Sequence, residues 1–153
     1  MNNVLIEKQT IISLRDTLET GMKEAMTSYK RYSMMRNEEE RRNIKDRYNL
    51  VIQKELSKYR AYKFCYTYMK DAFTYSDVDK VIESIRGNIR FLENNIEKLK
   101  YKINNGGGLA IELKKLLDKI YFYKLEIQSY NYIIDMISEK IEMSKNIDNG
   151  VKL

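Results

Sequence analysis

Histidine is absent from the 153-residue chain, and cysteine occurs once, at Cys65. Histidine-dependent triads are therefore excluded, and so is the side chain that most often transfers protons near neutral pH. Zinc sites of the Cys/His type and the Glu-x-x-His pairs of di-iron bundles cannot be built. Composition leaves an all-oxygen Mg²⁺ or Ca²⁺ site open, but no residue pattern indicates one. The sequence predicts a protein without catalytic residues, metal or cofactor.

Disulfides, proline and long apolar runs are also missing. A lone cysteine cannot form an internal disulfide, and no histidine can activate it, so Cys65 is predicted to be an inert core residue. No apolar run approaches the roughly 20 residues that cross a bilayer, and no cation-rich leader precedes a cleavage site. We therefore expect a cytoplasmic protein with no membrane partner. Without proline, no helix need be interrupted.

The formal net charge is +6, and the excess lies in the first half of the chain. Residues 1–76 hold 15 Lys and Arg against 10 Asp and Glu, whereas residues 77–153 hold 13 against 12. A basic excess favours an anionic partner. Lysine, asparagine, isoleucine and tyrosine are used heavily, as is common in the AT-rich genomes of low-GC bacteria and their phages, so we expect a phage or mobile-element setting.

One segment has the composition of a turn, Asn104 to Gly108, where two asparagines precede three glycines. On either side of it, apolar residues recur at steps of three and four, from Val78 to Ile103 and from Leu109 to Ile141. Such spacing over more than three heptads indicates coiled-coil-like helices, and a short glycine turn folds them back on each other. The sequence predicts an antiparallel helical hairpin over about 77–104 and 109–145.

Polar residues mark both ends of this hairpin. Ser76 is the predicted N-cap of its first helix, because Asp79 follows three residues later and Asp77 also lies near the positive end of the helix dipole. Asn149 and Gly150 are predicted to stop its second helix, which leaves residues 148–153 as a frayed tail.

The first half contains a second helix start, in the sequence RNEEER. Asn37 is the predicted N-cap, Glu38 to Glu40 fill the first turn, and a break falls near residues 35–37. Helix one then runs from about Val4 to Met34, and helix two from Glu38 to about Thr74. A single helix of ~70 residues is the rival interpretation, because asparagine is only mildly unfavourable inside a helix. The inward residues of helix one are predicted to be Ile11, Leu14, Leu18, Met22, Met26 and Tyr29.

Four helices of similar length predict an all-α, up-down-up-down four-helix bundle, coiled-coil-like, in one domain. Its parts are a basic, tyrosine-rich N-terminal pair in residues 1–75 and the hairpin in residues 76–147. Further apolar residues lie beside the three-and-four spacing of the hairpin, and together they are more than one hairpin can bury. They are Val81, Leu117, Leu125, Ile133 and Met136. We expect a homo-oligomer, with a two-fold dimer favoured, to cover them.

The stretch KYRAYKFCYTYMK, residues 58–70, places aromatic and basic side chains on one helix. At about 100° per residue its apolar and aromatic side chains cover more than half of the circumference, as expected for a central helix of a bundle. Core packing is the favoured interpretation, with hydroxyls that need partners. The alternative is a face that stacks on bases, with Tyr59, Tyr62, Tyr66 and Tyr68 as stacking residues and Arg60, Lys63 and Lys70 as phosphate contacts.

A second basic cluster surrounds the predicted break. Five of the nine arginines fall within residues 31–47, and arginine suits bidentate phosphate contacts. These charges either are solvated and paired along a helix, as Glu38 with Arg42 would be, or bind phosphate or an acidic protein surface at one end of the bundle. The candidate residues are Lys30, Arg31, Arg36, Arg41, Arg42, Lys45 and Arg47.

Two functions compete. The leading hypothesis is a non-enzymatic, oligomeric helical protein that binds a partner protein and blocks or scaffolds it. The alternative is a nucleic-acid or nucleotide binding protein that uses the arginine cluster and tyrosine stacking. In a phage setting, both describe an accessory inhibitor of host nucleic-acid machinery or defence. An enzyme that relies on Tyr, Lys and carboxylates comes third, because no pairing of such groups can be read from the sequence.

Overall fold

A computed structural model describes residues 3–106 and 108–148, which form four α-helices and no β-strand. The helices are α1 (Asn3–Glu38), α2 (Arg42–Met69), α3 (Tyr75–Asn105) and α4 (Ala110–Asp148). The predicted all-α bundle and its antiparallel hairpin are confirmed. The predicted frayed tail and its stop signals Asn149 and Gly150 fall on residues outside the described ranges, except for the backbone of Asp148.

Contacts between side chains fix the directions of the helices. Arg36, near the end of α1, donates to Asn49, near the start of α2, at 3.0 Å. Asn88 of α3 donates to the Tyr130 hydroxyl of α4 at 2.8 Å. The Tyr75 hydroxyl, at the start of α3, lies 2.6 Å from that of Ser144, at the end of α4. Each hairpin is therefore antiparallel.

The two hairpins point the same way, because α2 and α4 run parallel. Arg60 of α2 pairs with Glu126 of α4, and Phe64 packs edge-on against Tyr130, four residues further along each helix. The α1–α2 and α3–α4 turns consequently lie at one end of the bundle. We call residues 28–52 and 94–121 the tip. The opposite half, residues 3–20, 61–92 and 130–148, is the core end.

The main hydrophobic cluster lies at the core end and draws on all four helices. Leu14, Ile85 and Ile137 are each fully buried there. Val81 and Ile133, two of the residues for which a covering dimer was predicted, are buried within one chain. The prediction for helix one holds for its first half alone: Ile11, Leu14 and Leu18 are buried, whereas Met22, Met26 and Tyr29 are half-buried.

A second, smaller cluster lies between α3 and α4 towards the tip. Its buried residues are Ile96, Leu99 and Ile120, and no residue of α1 or α2 belongs to it. The first two turns of α4 are correspondingly exposed. Leu109 and Leu113 follow the predicted stripe, yet they are 72% and 41% exposed. The regular apolar spacing therefore predicts a longer buried seam than forms, because only α3 packs against this part of α4.

The α1–α2 break lies at residues 39–41, so the rival single helix is wrong and the predicted break is four residues early. Asn37 and Glu38 end α1 rather than start α2. The N-cap is Arg41, whose side chain makes no capping hydrogen bond. Glu39 holds the turn, since its carboxylate accepts from the backbone N–H and the guanidinium of Arg41. The predicted pair of Glu38 with Arg42 along one helix cannot form, because the two belong to different helices.

The α2–α3 turn also differs from the prediction. Helix α2 ends at Met69 rather than near Thr74, and the N-cap of α3 is Thr74, not Ser76. Thr74 and Asp77 form a capping box, in which the Thr74 hydroxyl accepts from the Asp77 N–H at 3.1 Å. The Phe73 and Thr74 N–H groups donate to the Asp77 carboxylate and lower its pKa.

Two side chains of α1 form hydrogen bonds with the backbone of the α2–α3 turn. The Arg15 guanidinium donates to the carbonyls of Met69 and Ala72 and lies 5.3 Å from the centre of the Phe73 ring. The Glu7 carboxylate accepts from the Tyr75 N–H at 2.6 Å. Backbone groups that the helix ends leave unpaired are thus bonded by side chains 54 to 68 residues away in sequence.

Candidate functional site

The fold brings the predicted arginine cluster together at the tip. Its seven residues occupy the last turns of α1, the break and the first turns of α2. Arg31, Arg41, Arg42 and Arg47 are exposed, whereas Arg36 is half-buried and holds Asn49. Arg41 is also engaged, because Glu39 lies 2.9 Å from its guanidinium and that contact lowers the pKa of the Glu39 carboxyl. The cluster therefore contains both available charges and charges that hold the turn.

A second group of cations lies at the same end and was missed from the sequence. Both sides of the glycine turn carry exposed lysines: Lys98, Lys100, Lys102, Lys114, Lys115 and Lys119. The sequence could have predicted this group, because its lysines flank a predicted hairpin turn and must therefore lie at the same end of the bundle. The tip holds 13 Lys and Arg against 7 Asp and Glu, so it accounts for the whole net charge of +6. The rest of the chain is neutral.

The other basic candidates lie away from the tip. Lys70 follows the last residue of α2, 28 residues from Arg42, which is about 42 Å along the helix. Arg60 lies 3.7 Å from the buried Glu126, and the Lys63 ammonium lies 5.7 Å from the centre of the Tyr59 ring. The structure does not join these three cations to the arginine cluster.

The tyrosines of residues 58–70 are mostly packed. Tyr62 and Tyr66 lie against the main core, and Tyr59 is half-buried. Tyr62 packs over Gly21 of α1, where a Cβ would stand 2.6 Å from Cδ1 of the ring. Burial raises the pKa of the Tyr62 hydroxyl. Only Tyr68 is exposed, at 47%, with its ring 4.9 Å from Phe64. The four stacking candidates do not present a row of open rings.

A polar cluster crosses the bundle between α2, α3 and α4. Glu126 is buried, and burial raises the pKa of its carboxyl although Arg60 acts in the opposite direction. Tyr130 is also buried, so the pKa of its hydroxyl rises too, and Asn88 provides its hydrogen bond. Tyr130 therefore has a hydrogen-bond partner and Glu126 has an ion-pair partner in Arg60, as a structural cluster requires.

Cys65 lies fully buried beside this cluster. Burial raises the pKa of its thiol far above the ordinary value. Over the described ranges, no group of three or more His, Cys, Asp or Glu residues is placed to hold a metal ion. None of the helices in these ranges is long and apolar enough to cross a membrane.

A cleft of about 640 Å³ opens between the α1–α2 pair and the middle of α4. Ala25, Val51 and Tyr62 line one side, and Leu125 and Tyr132 line the other. Its cations, Lys54 and Lys58, are matched by Glu24 and Glu55, and Lys58 pairs with Glu55 at 3.4 Å. The cleft is apolar with balanced charge, unlike the tip beyond it.

Apolar side chains accompany the cations at the tip. Along the first turns of α4, Ile111 is 70% exposed and Leu117 is 51% exposed. The α1–α2 side adds Met34, Met35 and Leu50, which are also exposed. Exposed apolar groups rimmed by charge are common on interaction surfaces. The tip therefore combines two properties of a docking surface, exposed apolar area and charge of one sign.

Searches against models of protein families, curated proteins and solved structures found no match to this chain.

Proposed function

We propose that this chain is a non-enzymatic interaction protein that binds an anionic partner protein through the tip. It acts by covering or scaffolding that partner's surface. The supporting observation is the location of charge: the tip carries the entire excess of Lys and Arg, and the remainder is neutral. Charge concentrated on one end steers a partner of opposite sign to that end.

The distribution of core packing also favours the tip as the binding end. The main core is shared by four helices at the core end, whereas the buried cluster found among the described residues of the tip, Ile96, Leu99 and Ile120, draws on α3 and α4. An end that contributes little to the core is available for binding without loss of the fold. The expected setting, a phage or mobile-element protein that inhibits a host component, is part of this proposal.

Nucleic acid is the second candidate, and the arginine content of the α1–α2 side of the tip favours it. Arg31, Arg42 and Arg47 are exposed there, and guanidinium groups bind phosphate well. Such binding must fall steeply with salt because it releases counterions. The four predicted stacking tyrosines lie away from the tip, in the second half of α2, so stacking at the tip would fall to Tyr101 and Tyr121, which are 70% and 39% exposed.

Two variants with equal net charge test the proposal. In the first, Arg41, Arg42, Lys114 and Lys115 at the tip are replaced by Glu. In the second, Glu replaces four exposed cations outside the tip: Lys8, Lys70, Lys80 and Arg90. Binding of fluorescent poly-L-glutamate and of single-stranded oligo-dT is measured by anisotropy at roughly 50 and 200 mM salt, the range over which phosphate-dominated binding weakens most.

The tip variant should lose poly-L-glutamate binding, and the matched variant should keep most of it. Equal losses in both variants would show a response to net charge rather than a site, and would contradict the proposal. Stronger binding of oligo-dT than of poly-L-glutamate, lost in the tip variant and steeply weakened by salt, would replace the protein partner by nucleic acid.

A further inference from the structure

One side of α3 faces α2 at the core end and continues to the tip as a basic stripe. Ser84 of α3 and Tyr68 of α2 line the same depression, and Asn88 bonds to Tyr130, whose ring packs against α2. Residues that follow Asn88 at steps of three and four lie on the same side of the helix. They are Phe91, Asn95, Lys98 and Lys102.

The side of α4 that faces α2 continues in the same way. Glu126 marks this side because it pairs with Arg60 of α2. Lys119 and Lys115 precede Glu126 by seven and eleven residues, so they lie on the same side, two and three turns nearer to the tip. Glu126 is buried, whereas both lysines are exposed, as are the two lysines of α3. We call the four exposed side chains the lysine quartet: Lys98, Lys102, Lys115 and Lys119.

The lysine quartet lies at one height on the hairpin. Two hydrogen bonds, between Asn88 and Tyr130 and between Tyr75 and Ser144, fix the register of α3 against α4. In this register the α3 lysines stand opposite residues 116–121, the turns that carry the α4 lysines. Each pair of lysines extends about 6 Å along its helix. In the described part of the chain, no member of the quartet belongs to a salt bridge.

Helix α2 contributes neutral side chains to the crevice in front of the quartet. The pair of Arg60 with Glu126 fixes the register of α2 against α4. Gln53 and Asn49 precede Arg60 by seven and eleven residues, so they lie on the same side of α2, beside the α4 lysines. The Asn49 oxygen accepts from Arg36, which leaves its NH₂ group as a donor. The crevice therefore presents four ammonium groups and two amides.

Carboxylates bound the crevice at both ends. Glu126, paired with Arg60, lies towards the core end. Glu112 and Asp46 follow on the same sides of α4 and α2, about one turn nearer to the glycine turn and to the α1–α2 break. Asp118 lies about 80° around α4 from Glu126, on the side towards α1. A long polyanion along the crevice would meet carboxylates at each end, whereas a compact one would not.

We infer that the lysine quartet binds a compact oligophosphate, such as inorganic tripolyphosphate or the triphosphate of a nucleotide, between α2 and the α3–α4 hairpin. A lysine ammonium is a compact charge with three donors that binds phosphate well. Four of them on adjacent turns of two helices repel one another until an anion with several charges neutralises them. This site goes beyond the proposed function, which concerns an anionic protein and the tip as a whole.

The test compares two variants with equal net charge. Lys102→Gln with Lys119→Gln removes one member of the quartet from each helix. Lys100→Gln with Lys114→Gln is the matched control, because these lysines lie at the same end of α3 and α4 but on other sides of the helices. Binding of sodium tripolyphosphate, ATP, citrate and oligo-dT to the full chain is measured by calorimetry at about 150 mM salt, where exposed charges are well screened.

We expect tripolyphosphate and ATP to bind with similar affinity, because the phosphate chain is the recognised group. The quartet variant should bind both at least about tenfold more weakly, since it lacks two charge-assisted contacts. The control variant should bind them nearly as the wild type does. Tripolyphosphate should also raise the thermal unfolding midpoint of the wild type and the control, but not that of the quartet variant. Circular dichroism should show equal helicity for both variants.

Equal losses in the two variants would overturn the inference, because they would show a response to net charge rather than a site. Citrate bound as tightly as tripolyphosphate would also overturn it, since phosphate would not be the recognised group. So would a quartet-dependent preference for oligo-dT, which would identify an extended strand as the ligand. Poly-L-glutamate bound through the quartet in preference to tripolyphosphate would overturn this site and leave the proposed function intact.

Discussion

The core end and the tip are built from the same four helices, yet they differ in packing, capping and charge. At the core end, all four helices share one buried cluster. The α2–α3 turn there has a capping box and is held by Arg15 and Glu7. At the tip, the smaller buried cluster draws on α3 and α4, and the N-cap of α2 has no side-chain hydrogen bond. The net charge lies at the tip alone.

The difference separates stability from binding. Burial shared by four helices supplies most of the hydrophobic stabilisation, since that term scales with the apolar area removed from water. An end with less shared burial opens at lower free energy and can rearrange around a partner. Under the proposed function, the core end supplies the stability of the fold and the tip supplies recognition.

The largest expected difference concerns apolar side chains at the two ends. Ile137→Ala should cost about 2–5 kcal/mol because Ile137 is fully buried in the main cluster. Leu113→Ala should change the free energy of unfolding by about 0.5 kcal/mol or less, as exposed substitutions do. Urea unfolding of both variants measures this directly. A cost at Leu113 comparable with that at Ile137 would mean that the tip shares the core.

Two helical glycines provide a matched pair away from the ends. A Cβ at Gly21 would stand 2.8 Å from Cζ of Tyr62, whereas at Gly87 the nearest neighbour is the Arg90 guanidinium at 3.8 Å. Gly87→Ala should stabilise the fold by about 0.5–1 kcal/mol through helix propensity alone. Gly21→Ala should destabilise the fold by about 1 kcal/mol, because the cost of overpacking against Tyr62 exceeds the gain in helix propensity. Stabilisation by both would show that Tyr62 moves aside without cost.

Helix capping should matter at one turn and not at the other. Thr74→Ala removes the capping hydroxyl of α3 and should cost about 1 kcal/mol. Arg41→Ala should cost clearly less in thermal unfolding, since the Arg41 side chain makes no capping hydrogen bond and its ion pair with Glu39 lies at the surface. If Arg41→Ala were the more destabilising change, the α1–α2 turn would be a structural element rather than an adaptable one.

The smallest effect is a pH dependence from the polar cluster between the two ends. Burial raises the pKa of Glu126 above its ordinary value of 4.5, so the folded chain keeps a proton that the unfolded chain releases. The free energy of unfolding should therefore fall as pH rises from about 4.5 through the folded-state pKa of Glu126. The Glu126→Gln variant lacks this group, so the wild type should lose stability relative to it over that range. A constant difference between the two chains would mean that Arg60 cancels the effect of burial.

Much of this fold was predictable because local patterns and packing agree at the core end. The apolar spacing of α3 and the second half of α4 predicts their buried faces, and the glycine turn predicts the hairpin. Leu109 and Leu113 continue the same spacing into the tip, where no third helix covers them. Sequence periodicity defines a helix face, but it does not reveal whether a neighbour is present.

The helix boundaries were less predictable, for a physical reason. Thr74 with Asp77 and Ser76 with Asp79 are two overlapping capping patterns, and local sequence does not choose between them. Contacts from α1 favour the earlier one, since Glu7 bonds to the Tyr75 N–H and Arg15 bonds to the carbonyls of Met69 and Ala72. The lysines of the α3–α4 side of the tip were missed because an even charge balance over residues 77–153 concealed their concentration near one turn.

Amide hydrogen exchange of the full chain, with and without poly-L-glutamate, tests the assignment of recognition to the tip most directly. In the free chain, residues of the main core should exchange most slowly, and residues 28–52 and 94–121 should exchange through local opening. Addition of poly-L-glutamate should slow exchange within those two segments and leave the core end unchanged. Slowing confined to the core end, or spread evenly over all four helices, would show that the tip is not where poly-L-glutamate binds.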